Sequence, residues 1–255
     1  MPEYRPRKTL FNPELRRRGI YILPNLFTTA ALFSGFYAIV QAMNGKFEVA
    51  AVAIFVAMVF DGLDGRVARL THTQSAFGAE YDSLSDMVSF GAAPALVVYE
   101  WALKDLGKLG WIAAFIYCVG AALRLARFNT NLEVVDKRWF QGLPSPAAAA
   151  LVAGLVWVLI DNEWSGQEAR WHACVLTIFA GVTMVTNLRY YSGKNINLRK
   201  SVPFIIVVAV ALGFALVSSY PPGVLFALFL VYALSGYFVT LLDWLARRKK
   251  LARGE

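Results

Sequence analysis

The sequence predicts an all-α fold, a polytopic membrane helix bundle of about eight transmembrane helices with both termini cytoplasmic. Three observations predict it. The first is composition: 58 % of the 255 residues are hydrophobic and only 16 % are charged. An ordinary soluble domain is about 45–50 % apolar and about 25 % charged, so too few polar side chains remain here to cover a water-facing surface. The second is a series of apolar blocks close to the roughly 20 residues that cross about 30 Å of hydrocarbon. The third is the placement of the basic residues behind the net charge of +8. They cluster in RPRKTLFNPELRRRG near the start, in RRKKLARGE at the end, and in short runs between apolar blocks. Segments lying on anionic headgroups have that pattern. No nucleic-acid partner is expected.

The blocks fall at 23–43, 47–67, 83–103, 109–128, 146–160, 171–187, 202–219 and 222–245. The stretch before the first is too charged and too long to be a cleavable signal peptide. Pro24 suits the first turn of the first helix, where a missing N–H goes unnoticed. A polar turn, THTQSAFGAE at 71–80, separates the second block from the third. The fifth and sixth blocks are short and are expected to be tilted or partly re-entrant. Small residues recur in GAAPA at 91–95, VGAALRLA at 119–126 and SPAAAALVAG at 145–154. In lipid such faces let helices approach closely, so they are expected in the bundle interior or at a subunit contact. With both ends inside, only Lys46, Lys104, Lys108 and Arg170 are left for the outer loops, as the positive-inside bias requires. No repeat, low-complexity tract or soluble domain is visible, and residues 1–255 are expected to form a single integral membrane domain.

Cys118 and Cys174 stand alone in apolar segments and read as small core residues. His72 and His172 likewise lack a second imidazole or thiol at ligand spacing. The polar residues that stand out are four aspartates at the edges of two apolar blocks, Asp61, Asp64, Asp82 and Asp86. The first two are three apart and the last two four apart, so each pair shares a helical face. Two antiparallel helices joined by a short turn would point all four carboxylates at one another. Such a cluster near lipid is costly unless cations sit within it. Oxygen-only ligands select Mg²⁺ or Mn²⁺ over zinc. Gly62, Gly65 and Gly78 leave room for close approach to the backbone. Arg66 and Arg69 add positive charge suited to a diphosphate.

The stretch Asp61-Gly-Leu-Asp64-Gly65-Arg-Val-Ala68-Arg69, followed by Gly78-Ala-Glu-Tyr-Asp82-Ser-Leu-Ser-Asp86, resembles the signature of the CDP-alcohol phosphotransferase family. That signature is D-x-x-D-G-x-x-A-R and then, after a spacer, G-x-x-x-D-x-x-x-D, and every fixed position is met. The segments LPNLFT at 23–28, ALRLARFN at 122–129 and GLPSPAAA at 142–149 are similar to those of one branch, the CDP-diacylglycerol–serine O-phosphatidyltransferases. The resemblance implies a catalytic core at about 20–190, with additional helices at about 200–245. It implies two divalent ions, Mg²⁺ or Mn²⁺, on Asp61, Asp64, Asp82 and Asp86, with Asp86 also the general base. By the same resemblance Pro24, Asn25, Thr28, Gly65, Ala68, Arg69, Ser75 and Gly78 would contact CDP-diacylglycerol, the first three at helix N–H groups left free by a helix start. Arg124, Arg127 and Asn129 are candidates for holding L-serine.

The implied reaction makes phosphatidylserine and CMP. The implied setting is a multi-pass homodimer among the lipids of the cell's inner membrane, its site facing the cytoplasm. Alternatives are another family member, such as a phosphatidylglycerophosphate synthase, or a divalent-cation transporter. A transporter site would be expected at the bilayer midplane between paired halves, whereas these aspartates lie at one face and in one half. A membrane prenyltransferase would show a DDxxD-like cluster, which is not present.

Overall fold

A computed structural model of the chain describes residues 13–71, 73, 75–130, 139–192 and 204–252. His72 and the first residues of the basic N-terminal cluster lie outside them. The described chain is mostly helical: α1 (Pro13–Met43), α2 (Phe47–Thr71), α3 (Ala76–Asp86), α4 (Ala93–Val98), α5 (Lys108–Thr130), α6 (Ser145–Asp161), α7 (Gly166–Val185), α8 (Phe204–Ser219) and α9 (Pro221–Ala252). By length and apolarity alone, 24–43 in α1, all of α5 and 221–242 in α9 can each cross a membrane, and α6 and 206–219 in α8 are shorter apolar helices. The protein is a helical membrane protein. One small element of the described chain is not helical. Strands β1 (Trp139–Gln141) and β2 (Arg189–Tyr191) pair antiparallel, Phe140 opposite Tyr190, in a small ribbon between distant parts of the chain.

Two helix starts also differ from expectation. Helix α1 begins at Pro13, so Pro24 lies inside it rather than at its start. Charged residues do not stop a helix, and the basic stretch before the apolar block continues the same one. Pro24 therefore interrupts the hydrogen-bond ladder, and no free helix N-terminus exists at Asn25 to Thr28. Helix α3 begins at Ala76 instead of at the apolar boundary, because the Ser75 side chain caps it by accepting from the Gly78 N–H at 3.0 Å.

The chain runs helically from α3 through a π turn (Met87–Ala92) into α4, then through a second π turn (Tyr99–Leu103). Pro94 explains the first. It has no N–H to give the Phe90 carbonyl four residues back, and its ring crowds that carbonyl. The Ala93 N–H bonds Val88 instead. The Phe90 carbonyl is taken by the fully buried Tyr117 hydroxyl from α5, at 2.9 Å.

Small residues set the packing, as expected of the bundle interior. Helix α6 is buried from Ala147 to Val156 and packs against α2, α4, α7 and α9. A Cβ on Gly120 of α5 would stand 2.4 Å from the Gly181 carbonyl of α7. One on Gly35 of α1 would stand 2.6 Å from the Ser89 Cα. At the end of the bundle formed by the short turns, Asn162 donates to the Tyr220 hydroxyl at 2.7 Å, and Gly166 abuts the Trp101 carbonyl. The carboxylates lie at the opposite end, with Arg124, Arg127 and the ribbon. Cys174 is buried and Cys118 half-buried. His172 packs edge-on against Trp164.

Candidate metal centre and active site

Asp61 and Asp64 lie one turn apart on α2, and Asp82 and Asp86 one turn apart on α3. The turn between the helices folds α3 back beside α1 and α2. Two serine hydroxyls fasten it there: Ser85 donates to the Thr28 carbonyl and Ser89 to the Ala31 carbonyl, each at 3.1 Å. Carboxylate oxygens of Asp61, Asp64 and Asp82 then lie within 4.8 Å of one another. Asp86 sits beside Asp61, on the side of the cluster next to Arg124. The four side chains form one cluster.

Their hydrogen bonding is uneven. Thr28 donates to Asp64 Oδ2 at 2.7 Å. Asp82 Oδ1 is buried without a hydrogen-bond partner. A buried carboxylate oxygen with no donor is expensive, and like charges around it raise the cost. The arrangement fits a hard divalent cation: three oxygen donors converge, one of them lacks any other partner, and among the described residues no nitrogen or sulfur ligand joins them. Asp61, Asp64 and Asp82 are the residues that could hold it.

The remaining expected site residues fall around this cluster. Thr28 is buried, and its hydroxyl, which donates to Asp64, also lies 3.2 Å from the Pro24 carbonyl. Asn25 lies near Gly78: a Cβ on that glycine would stand 3.5 Å from the Asn25 Oδ1 and 3.1 Å from the Ser75 Oγ. Gly62 opens on empty space, and Gly65 has only the Arg69 guanidinium nearby, at 3.8 Å. That guanidinium also lies within electrostatic range of Asp64. Ala68 closes the end of α2, its carbonyl accepting from the Thr73 N–H at 3.1 Å. Ser75 is explained locally by its capping role.

Of the three candidate serine contacts, Arg124 is buried beside the aspartates and donates to the Ser145 hydroxyl of α6. Arg127 is engaged elsewhere. It donates to the Val185 and Thr186 carbonyls that end α7 and to Asn187 Oδ1 at 3.0 Å, as a cation at a helix C-terminus commonly does. Asn129 pairs with Ser83 on α3 at 3.0 Å. Sequence reasoning gave no site role to Ser145, placed only in a small-residue face and in the family-like segment 142–149, nor to Tyr232 of α9, which lies within electrostatic range of Arg124. A polar residue at the head of a small-residue helix was a signal for the first. Nothing local marked the second.

Residues 21–183 match the family model described as CDP-alcohol phosphatidyltransferase. A protein of Helicobacter pylori (strain ATCC 700392 / 26695) named CDP-diacylglycerol–serine O-phosphatidyltransferase is 37 % identical over 197 residues, covering 76 % of this chain and 82 % of its own. One of the same name from Methanocaldococcus jannaschii is 38 % identical over 185 residues, covering 72 % and 80 %. A third, from Saccharomyces cerevisiae, is 37 % identical over 171 residues, covering 58 % and 61 %. The chain belongs to the CDP-alcohol phosphatidyltransferase family.

Proposed function

We propose that this protein is an enzyme that makes phosphatidylserine and CMP from CDP-diacylglycerol and L-serine. The observation that carries the reading is the convergence of Asp61, Asp64 and Asp82 around the partnerless Asp82 oxygen, within the family's own motif. The names of the relatives support serine as the acceptor.

Asp61, Asp64 and Asp82, with Asp86 at their edge, would hold two ions, Mg²⁺ or Mn²⁺. When bound, these supply positive charge that neutralises the diphosphate and the departing CMP. The chain's own residues do the rest. Arg69 would meet the diphosphate, and the open side of Gly62 and Gly65 would admit it without a Cβ in the way. Pro24, Asn25, Thr28, Ala68, Ser75 and Gly78 line the approach assigned to the nucleotide. Asp86 falls outside the close triad, which suits a carboxylate that keeps a free lone pair for proton transfer. It takes the proton of the serine hydroxyl as that oxygen bonds to the lipid-side phosphorus. The bond from phosphorus to the bridging oxygen breaks, and the electron pair leaves on CMP. Arg124 is the candidate partner for the serine carboxylate; Asn129 borders the same end. Arg127 shapes the wall by holding the end of α7.

Eight traverses, counting α3 to α4 as one, bring both termini to the cytoplasmic side of the inner membrane, with the site at that face where the basic residues gather. A homodimer is the proposed assembly, as the family resemblance implies.

The test is a panel of acceptors. Purified protein given CDP-diacylglycerol and Mn²⁺ is expected to release CMP with L-serine only. Equal release with glycerol 3-phosphate or inositol phosphate overturns serine and keeps phosphatidyl transfer. Divalent-ion flux into vesicles without CMP release overturns both.

A further inference from the structure

Helix α9 lies beyond the residues that match the family model, yet it is latched onto the site end of the bundle. Tyr190 of β2 is fully buried beneath it and donates to the Ala233 carbonyl at 2.8 Å. Gly236 makes room for that ring, since a Cβ there would stand 2.3 Å from it. Tyr237 hydrogen-bonds Thr183 of α7 at 2.7 Å and stacks on Phe179. From the other side, Arg127 of α5 grips Val185, Thr186 and Asn187. The segment from the end of α7 to β2 is thus held between α5 and α9.

Tyr232 is fixed by the same contact. Its ring lies 5.5 Å from that of Tyr190, and its hydroxyl donates to the Tyr191 carbonyl at 3.2 Å. With the proton committed there, the phenolic oxygen is left as an acceptor, and it lies within electrostatic range of the Arg124 guanidinium. On α6, the Ser145 hydroxyl, fully buried, accepts from Arg124 Nη1. A long arginine side chain already tied by the buried Ser145 hydroxyl, with a fixed phenolic oxygen near its charge, loses less further freedom when it binds a planar anion, and its other donors stay available for a two-point carboxylate contact.

We propose that Ser145 and Tyr232 are positioning residues, a pair of hydroxyls that aim Arg124 at the carboxylate of the acceptor alcohol. The inference rests on the reading of Arg124 as the acceptor's partner, and it gives α9 a part in acceptor selection.

The experiment measures steady-state kinetics of Tyr232→Phe and Ser145→Ala in the full-length protein, varying serine and CDP-diacylglycerol separately. Ser145→Ala is expected to raise the serine KM about tenfold, the scale of one hydrogen bond to a charged group, and Tyr232→Phe to raise it by a smaller factor, with the KM for CDP-diacylglycerol unchanged in both. Tyr190→Phe is the control. It removes a buried hydrogen bond from the same α9 contact without reaching Arg124, and is expected to lower the unfolding temperature while leaving the serine KM alone. An equal rise in Tyr190→Phe and Tyr232→Phe means general loosening and overturns the proposal. So does an unchanged serine KM in the clamp variants. If one clamp variant does not fold, the other decides. Wild-type protein that turns over a different acceptor overturns serine as substrate; the clamp is then read on that acceptor's KM, and no change there overturns it as well.

Discussion

Asp64 and Asp82 show how differently two members of one carboxylate group can be treated. Asp64 is satisfied by the Thr28 hydroxyl, whereas Asp82 keeps a buried oxygen with no partner. A protein that left this oxygen bare for no purpose would carry a desolvation cost of about 1–3 kcal/mol. Asp82→Asn removes one negative charge from the cluster and leaves its shape intact. In chelator the variant is expected to unfold at or above the wild-type temperature, because like-charge repulsion is relieved. Added Mn²⁺ should stabilise the wild type, by about 2.7 kcal/mol at a hundred times its dissociation constant, and should not stabilise the variant. Turnover is expected to fall at least about 100-fold, the scale of losing one charged group from a transition-state clamp. Thermal unfolding with and without metal, alongside CMP release, checks all three; a variant that still responds to Mn²⁺ and turns over removes Asp82 from the centre.

At the scale of elements, the site depends on how closely α5 and α7 cross. Gly120 and Gly181 sit at that crossing, and the Cβ of any other residue at Gly181 would stand 2.7 Å from the Tyr117 Cα. Both obstacles are backbone, which cannot swing aside as a side chain can. Gly120→Val is therefore expected to push α5 from α7 and to destabilise the protein by about 1–3 kcal/mol, the usual cost of overpacking. Arg124 lies one turn further along α5, so acceptor turnover should drop with stability. The same substitution at Gly62, which has nothing nearby, is expected to leave the unfolding temperature unchanged. Equal unfolding temperatures for the two variants would refute the packing argument. The π turn ahead of α4 is another element-level device. Pro94 forces it, and Tyr117 supplies the hydrogen bond that it frees, so the bend just beyond Asp86 is built in rather than elastic.

For the whole molecule, orientation is the open physical question, and cysteine labelling answers it. In protein lacking Cys118 and Cys174, Lys46→Cys should react with a membrane-impermeant maleimide added outside intact spheroplasts. Arg66→Cys, near the carboxylates, should react only after the membrane is permeabilised. The reverse pattern would turn the molecule over and move the site to the outer face. Such a reversal would conflict with the basic residues gathered at the carboxylate end, whose preference for the cytoplasmic side is a statistical rule of membrane insertion.

By itself, the sequence determined what depends on contiguous residues. Hydropathy over a window marked the apolar blocks, and three- and four-residue spacing put Asp61 with Asp64 and Asp82 with Asp86 on common faces. The ordered motif then named the chemistry. Local patterns misjudged where α1 and α3 begin, since one helix continues through charged residues and the other starts at a serine cap. Tertiary structure alone decided the rest: that Thr28 serves Asp64, that Arg127 closes α7 while Arg124 turns toward the aspartates, that residues 139–141 and 189–191 pair, and that Tyr232 reaches the site from a helix more than a hundred residues away. Those groups share no periodicity along the chain, and only close packing of the folded helices brings them together.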